Sequence, residues 1–221
     1  MLVGHRDATI RLPICAGGDM CREKILFICL PLLAAAALPG LARAQPSQDV
    51  RWCSNSNFAF SLDQQIRGCT AVIQARPAIR YLASAYHLRG LAYYEKGQYD
   101  LALEDYNQSI RLDSTDPDPD VFTGRGNIYL NKQQYDRAIE DYNRAIRLKP
   151  DATNLYNRGN AYYGKRQFDR AIEDYNQAIR LNPNDANAWF NRGQAKHERG
   201  DSSGGNADIA RARQINPNVG R

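Results

Sequence analysis

The sequence has few of the residues on which catalytic metal sites and cofactor sites depend. Its 221 residues include only three histidines and five cysteines. It contains no HExxH pair, no phosphate-binding GxxxxGKS loop and no dinucleotide-binding GxGxxG motif. No obvious set of acid, base and nucleophile is present. The sequence therefore predicts a protein that is not an enzyme and that holds neither a metal nor a cofactor.

A large excess of positive charge is also missing. Residues 45–221 carry 24 basic and 21 acidic side chains, which is too even a balance for a protein that binds nucleic acid through clustered lysine and arginine. Apolar residues make up 43% of the chain and charged residues 24%, which is typical of a soluble folded protein. We expect no nucleic-acid partner.

The mostly apolar run near the start of the chain is too short for a membrane span. Ile25–Leu38 has fourteen residues and contains a proline, whereas a spanning helix needs about 20 apolar residues. Arg22 and Lys24 precede the run, and the small residues of Ala42–Ala44 follow it. This order is typical of a cleaved signal peptide, predicted over residues 1–44. A transmembrane anchor is the alternative.

Export follows from this interpretation. Residues 1–19 resemble no targeting segment, so Met20 is a candidate for the true start of the protein. Cleavage after Ala44 predicts a periplasmic or secreted protein with no membrane span in its mature form.

Only two of the five cysteines remain after that cleavage. They are Cys53 and Cys69, and an even pair in an exported protein predicts one disulfide that contributes roughly 3 kcal/mol. Two free thiols or a redox pair are the alternatives. The two residues lack the CxxC spacing that lowers the pKa of a redox thiol, which favours the structural bond.

Internal repetition is the strongest signal in the chain. Residues 127–150 and 160–183 are identical at seventeen of 24 aligned positions. Arg-Gly pairs recur at steps of 36, 33 and 34 residues, with their glycines at Gly90, Gly126, Gly159 and Gly193. An alanine lies twelve residues after each of the first three glycines, and a tyrosine lies four residues further on: Ala102, Ala138 and Ala171, then Tyr106, Tyr142 and Tyr175.

This pattern resembles the tetratricopeptide repeat (TPR), a helix-turn-helix unit of about 34 residues. The resemblance implies an all-α protein, an α-solenoid of stacked antiparallel helix hairpins wound into a right-handed superhelix. Apolar residues at three- and four-residue spacing and the prolines that follow the second helices support the helical assignment independently. The predicted units cover residues 83–116, 119–151, 152–185 and 186–219.

The two ends of the array depart from the pattern. Residues 45–82 are predicted to form a degenerate opening hairpin, in which Ser61 and Gln64 cap a helix and Cys69 takes the place of the repeated tyrosine. At the other end, glycines at 200, 204 and 205 occupy the last turn and helix start. We expect a short closing helix over about 206–215, either frayed or completed by a partner chain.

The resemblance also implies a partner-binding groove that is lined by the first helix of each unit. The residues at its inward positions are His87, Leu91, Tyr94, Thr123, Asn127, Leu130, Tyr156, Asn160, Tyr163, Phe190, Gln194 and His197.

These twelve residues, called the inward face below, are mostly aromatic or amide side chains and include no lysine or arginine. Asn127 and Asn160 each offer a donor and an acceptor, which suits the backbone of an extended peptide. Some relatives grip the acidic carboxyl end of a partner with lysines in this groove. Residues such as Thr123, Tyr156 and Phe190 occupy one of those lysine positions here, so that mode is not expected. The alternative role for Tyr156 and Phe190 is packing between units.

Taken together, the sequence predicts a non-catalytic scaffold in the cell envelope that binds a protein or peptide of unknown identity. Two other functions stay open. One is an accessory subunit or assembly factor for an envelope enzyme complex, and the other is a structural protein that self-associates through its carboxyl-terminal end.

Overall fold

The computed structural model describes residues 47–55, 59–115 and 117–220. The predicted signal peptide lies outside these residues. The described segments contain ten helices and no strand. The helices are α1 (Gln48–Ser54), α2 (Leu62–Gln74), α3 (Ile79–Glu95), α4 (Tyr99–Leu112), α5 (Pro119–Asn131), α6 (Tyr135–Leu148), α7 (Ala152–Gly164), α8 (Phe168–Leu181), α9 (Ala186–Glu198) and α10 (Ser202–Ile215).

The helices pair as five successive antiparallel hairpins, and each hairpin packs against the next. Below, α3, α5, α7 and α9 are called the first helices, and α4, α6, α8 and α10 the second helices. The predicted all-α solenoid is thereby confirmed. Within the described residues, no helix is long and apolar enough to cross a membrane.

Side-chain caps are present at the start of six of the ten helices in the described segments. Ser61 and Gln64 form the predicted capping box of α2: Gln64 N donates to Ser61 Oγ at 3.3 Å, and Ser61 N donates to Gln64 Oε1 at 2.9 Å. A cap is also present at α5, where the Asp118 carboxylate accepts from Asp120 N and Pro119 lies in the first turn. These contacts satisfy backbone N–H groups that have no partner inside the helix.

The core of each of the three central hairpins contains a tyrosine that lies over a glycine. Tyr106, Tyr142 and Tyr175 on the second helices are at most 1% exposed. The Tyr175 ring packs so closely on α7 that a Cβ added to Gly159 would lie 2.7 Å from its Cε1 atom. The repeated glycine is therefore required for the close approach of the two helices.

This packing predicts that Gly159→Ala destabilises the protein by about 1–3 kcal/mol, because the buried ring has to move. Helix propensity alone predicts the opposite sign, since alanine in a helix is favoured over glycine by about 1 kcal/mol. Urea unfolding compares the variant with Thr153→Ala, an exposed position on the same helix. A Gly159→Ala protein more stable than the wild type would contradict the packing argument.

The opening hairpin is held together by the disulfide between Cys53 on α1 and Cys69 on α2. Both residues are at most 2% exposed, and they pack with Ala85 and Leu88 of α3. The short α1 also lies close against α2, because a Cβ on Gly68 would be 2.5 Å from Trp52 Cβ.

The closing helix is longer than the sequence predicted. It begins at Ser202 and not near residue 206, because the Asp201 carboxylate accepts from Gly204 N at 2.9 Å and caps its first turn. Val219 beyond the helix is 5% exposed and packs with Ala186, Ala212 and Ile215. Three apolar contacts and a cap therefore hold a full-length helix despite the glycines.

Candidate partner-binding face

The structure places all twelve inward-face residues on the first helices, three on each. Gln194 is exposed and the other eleven are half-buried. The face therefore lies between the packed core and the solvent, which leaves each residue partly accessible to another molecule.

Asn127 is the centre of a hydrogen-bond cluster that joins two units. Its Oδ1 atom accepts from the Tyr142 hydroxyl at 2.7 Å and from Asn157 Nδ2 at 3.1 Å. Tyr142 belongs to the same hairpin as Asn127, whereas Asn157 belongs to the next. One side-chain oxygen thus links α5, α6 and α7.

Asn160 makes the same contacts one unit later. Its Oδ1 atom accepts from the Tyr175 hydroxyl at 2.8 Å and from Asn191 Nδ2 at 2.9 Å. Asn191 Nδ2 also donates to the Tyr156 hydroxyl at 2.9 Å. The clusters around Asn127 and Asn160 form a ladder along the inward face.

The tyrosines of the ladder remain hydrogen-bond donors. Burial raises the pKa of Tyr142 and of Tyr175 above its ordinary value, so both hydroxyls keep their protons. Burial also raises the pKa of Tyr156, against the opposing effect of the nearby Asn160 and Asn191 amides.

The ladder changes what the two asparagines offer to a partner. The sequence predicted a donor and an acceptor from each, but both Oδ1 atoms already accept two internal hydrogen bonds. Asn127 Nδ2 makes no hydrogen bond within 3.5 Å in the described segments, and the Asn160 amide interacts only with the Tyr156 hydroxyl there, so both amide nitrogens keep an N–H group for a ligand. The amide nitrogens are therefore the groups that remain for a ligand.

The ladder is absent from the first repeat unit, where both of its asparagines are replaced together. Leu91 takes the place of Asn127, and Gly124 of the next unit takes the place of Asn157. The Tyr106 hydroxyl fills the vacated space, since a Cβ on Gly124 would lie 2.6 Å from it. A side chain at 124 would be excluded by the tyrosine.

Other inward-face residues are engaged within the protein. The Thr123 hydroxyl donates to Asn154 Oδ1 at 2.8 Å, and His87 Nδ1 lies 3.5 Å from Asp118 Oδ2. The Phe190 ring lies against Gly220, and the His197 ring lies against Gly205. Thr123 thus links α5 to α7 through its hydroxyl, and Phe190 packs within the last unit.

Two inward-face tyrosines are held by a second aromatic ring. The Tyr94 and Tyr99 ring centroids are 5.7 Å apart, and those of Tyr163 and Phe168 are 5.5 Å apart in an edge-on arrangement. Aromatic pairs at such distances restrict ring motion and add packing energy. The half-buried rings therefore form fixed apolar surfaces.

Away from the inward face, a repeated ionic network joins the units. Each Arg of an Arg-Gly pair binds an aspartate of its own hairpin through two hydrogen bonds of 2.6–2.8 Å. Its Nη1 atom then donates to a side-chain oxygen on the preceding hairpin. The four sets are Arg89–Asp105–Thr70, Arg125–Asp141–Asn107, Arg158–Asp174–Asn143 and Arg192–Asp208–Asn176.

The second helices α4, α6 and α8 each carry a glutamate followed directly by an aspartate, and the ionic network accounts for the aspartate of each pair. Asp105, Asp141 and Asp174 are at most 3% exposed and bind arginine, whereas the preceding glutamates are exposed. The pairs are structural contacts and not an acid–base arrangement. The asparagine partners were missed from the sequence, although their recurrence one residue after each core tyrosine was a visible signal.

In the ionic network, burial and the paired cations have opposite effects on the pKa of the aspartates. Burial raises the pKa of Asp105 and of Asp174, against the lowering effect of the single paired arginine. For Asp208 burial acts in the same direction, but hydrogen bonds from Arg192 and Lys196 together outweigh it and lower the pKa. The second cation thus contributes to the lower pKa of Asp208.

The structure gives no support to a hydrolase site. Gly200–Gly204 has the GxSxG spacing of a hydrolase nucleophile, but that motif acts at a turn from a strand into a helix. Here Ser202 is the exposed first residue of α10 and follows a helix. The described residues also contain no group of histidine, cysteine or acidic side chains that is placed to hold a metal ion.

Comparison with known proteins agrees with this geometry. The model described as "Tetratricopeptide repeat" matches residues 87–153, and the model described as "TPR repeat" matches residues 159–200. The chain therefore contains tetratricopeptide repeats. No curated protein sequence matches the chain.

Solved TPR structures share the fold at low sequence identity. YrrB, described as "a TPR protein with an unusual peptide-binding site", has a TM-score of 0.64 and 19% identity, over 76% of this chain and 82% of YrrB. A MamA structure has a TM-score of 0.67 and 21% identity, over 79% of this chain and 96% of MamA. MamA from Desulfovibrio magneticus RS-1 has a TM-score of 0.67 and 17% identity, over 80% of this chain and 100% of that chain. These likenesses concern the fold.

Proposed function

We propose that this TPR protein is a non-catalytic scaffold that holds an extended peptide or protein segment on its inward face. The observation that carries the proposal is the pair of amide nitrogens on Asn127 and Asn160. Each lies on a half-buried side chain whose oxygen is fixed by two internal hydrogen bonds. Fixed donors one unit apart suit backbone carbonyl oxygens, which every peptide presents.

The composition of the inward face supports a peptide ligand over a charged one. Rigid aromatic rings provide contact area at low cost in conformational entropy, and amides provide hydrogen bonds. The inward face has no lysine or arginine to grip a terminal carboxylate. Among proteins of the same fold, YrrB is described as having a peptide-binding site.

We also propose that the scaffold acts in the cell envelope. The predicted signal peptide over residues 1–44 is one support, and the buried Cys53–Cys69 disulfide is another. Disulfides of this structural kind persist in oxidising compartments such as the periplasm.

The proposal is tested by removing the two donors while keeping the ladder. In Asn127→Asp/Asn160→Asp, a carboxylate oxygen still accepts from Tyr142 and Tyr175, but no N–H is left to donate. We expect the affinity for envelope partners, followed by quantitative pull-down, to fall at least about 30-fold, because the two unpaired carbonyls on the partner together cost about 2 kcal/mol or more.

The matched control is Asn143→Asp/Asn176→Asp on the second helices. Both residues accept hydrogen bonds from arginine, so the same substitution keeps the acceptor and adds the same charge away from the inward face. Equal recovery of partners by the wild type and both double variants would reject the inward face as the recognition surface.

A further inference from the structure

We propose that the segment held on the inward face is an uncharged, proline-rich stretch in the polyproline II conformation. This inference rests on the proposed function and names the chemistry of the ligand. It follows from which polar atoms of the inward face are already bonded, from its rings and from its lack of charge.

The acceptor oxygens of the two ladder asparagines are already bonded within the protein, whereas N–H donors remain. The Oδ1 atoms of Asn127 and Asn160 each accept two internal bonds, and the Thr123 hydroxyl donates to Asn154. What remains on the two asparagines is donors. An ordinary extended peptide brings as many N–H donors as carbonyl acceptors, whereas proline has no N–H. A proline-rich segment therefore matches the donors without leaving its own donors unpaired.

The rings of the inward face favour the same ligand. Tyr94 and Tyr163 are each held against a second aromatic ring and remain half-buried. Grooves lined with aromatic residues bind polyproline II segments in other protein classes, because the flat pyrrolidine ring packs on an aromatic face and the conformation is already ordered before binding.

The lack of acidic and basic residues among the twelve inward-face positions favours an uncharged ligand. None of its twelve residues is a lysine, arginine, aspartate or glutamate. A charged ligand side chain would lose water on binding without gaining an ionic partner from these twelve residues. Proline interspersed with small or amide residues avoids that cost.

The spacing of the ladder agrees with this conformation. Asn157 of α7 donates directly to Asn127 of α5, so these neighbouring first helices are in contact, and packed helices have axes about 8–10 Å apart. Polyproline II advances about 3.1 Å per residue, so carbonyl oxygens three residues apart are separated by about 9 Å. A polyproline II segment that crosses the first helices would thus present about every third carbonyl oxygen to the next helix.

The experiment is fluorescence-anisotropy titration of the mature protein with end-blocked peptides of about twelve residues, long enough to pass four units. The probe is repeated Pro-Pro-Gln, and the matched peptide is repeated Ala-Ala-Gln. We expect the proline probe to bind at least about tenfold more tightly. Its affinity should stay unchanged between about 0.05 and 0.5 M salt, because no charge pairs form. Binding should be lost in Asn127→Asp/Asn160→Asp and retained in Asn143→Asp/Asn176→Asp.

Other results would overturn the inference and still distinguish it from the scaffold proposal. Equal affinity for the two peptides, or a proline affinity that the Asn127 and Asn160 substitutions leave unchanged, would reject the proline-rich ligand. So would the absence of binding by either peptide. In each case the pull-down with the same variants decides separately whether the inward face holds a protein partner.

Discussion

Replacing Arg158 by leucine is expected to lower the free energy of unfolding by about 3–5 kcal/mol. The guanidinium makes two hydrogen bonds to Asp174, whose side chain is 3% exposed, so its loss leaves a carboxylate buried without a counter-ion. The substitution also removes the hydrogen bond from Nη1 to Asn143, which joins two hairpins. Urea unfolding followed by circular dichroism measures the loss.

Two further variants isolate the cause. Arg180→Leu replaces an exposed arginine near the end of α8, and we expect its stability to stay within about 0.5 kcal/mol of the wild type. In Arg158→Leu/Asp174→Leu the unpaired charge is gone, so much of the stability should return, because buried ion pairs gain little over apolar side chains. If Arg158→Leu were as stable as Arg180→Leu, the buried network would have no structural role.

Removing the disulfide is expected to destabilise the opening hairpin by about 3 kcal/mol, since its bond closes a loop of sixteen residues. In Cys53→Ser/Cys69→Ser, the seven-residue α1 retains too few contacts to stay folded by itself. Trp52 on α1 lies against Gly68 and under the Arg67 guanidinium, so its fluorescence reports the separation of α1 from α2.

The chain has a second tryptophan that serves as the internal control. Trp189 lies on α9, and Trp189→Phe leaves Trp52 as the only reporter. We expect the emission of Trp52 to shift to longer wavelength in the double serine variant, while that of Trp189 stays unchanged in a Trp52→Phe background. An unaltered Trp52 spectrum would show that the bond does not hold α1. Alkylation of protein from intact cells should label neither cysteine; two labelled thiols would contradict export to an oxidising compartment.

The repeat period predicted most of the architecture, because the spacing of small and large residues is a direct consequence of helix packing. Gly159, Ala171 and Tyr175 fall at the same spacing as Gly126, Ala138 and Tyr142, and each tyrosine covers its glycine. The caps at Ser61 and Asp118 were equally visible, since a cap depends on residues within one turn of each other.

Contacts between units were harder to predict, because they depend on which side chains meet across a helix boundary. The sequence predicted that the side-chain oxygen of Asn127 is an acceptor for a partner. In the structure this oxygen already accepts from Tyr142 and Asn157. The start of α10 at Ser202 was missed for a different reason, because the three glycines argued against a helix there. Glycine weakens a helix on average, whereas the Asp201 cap and the burial of Val219 outweigh that preference here.

The joint replacement of Asn127 and Asn157 by Leu91 and Gly124 means that the junctions between hairpins are not interchangeable. A duplicate of residues 152–185 inserted after residue 185 would restore the bonds of the ladder and of the ionic network at the new boundary, because its Asn157 and Arg158 would meet Asn160 and Asn176 of the original. A duplicate of residues 119–151 would place Gly124 beside Asn127 and leave that oxygen one donor short. The ladder can thus be extended at the boundary after residue 185 and not at the boundary after residue 151.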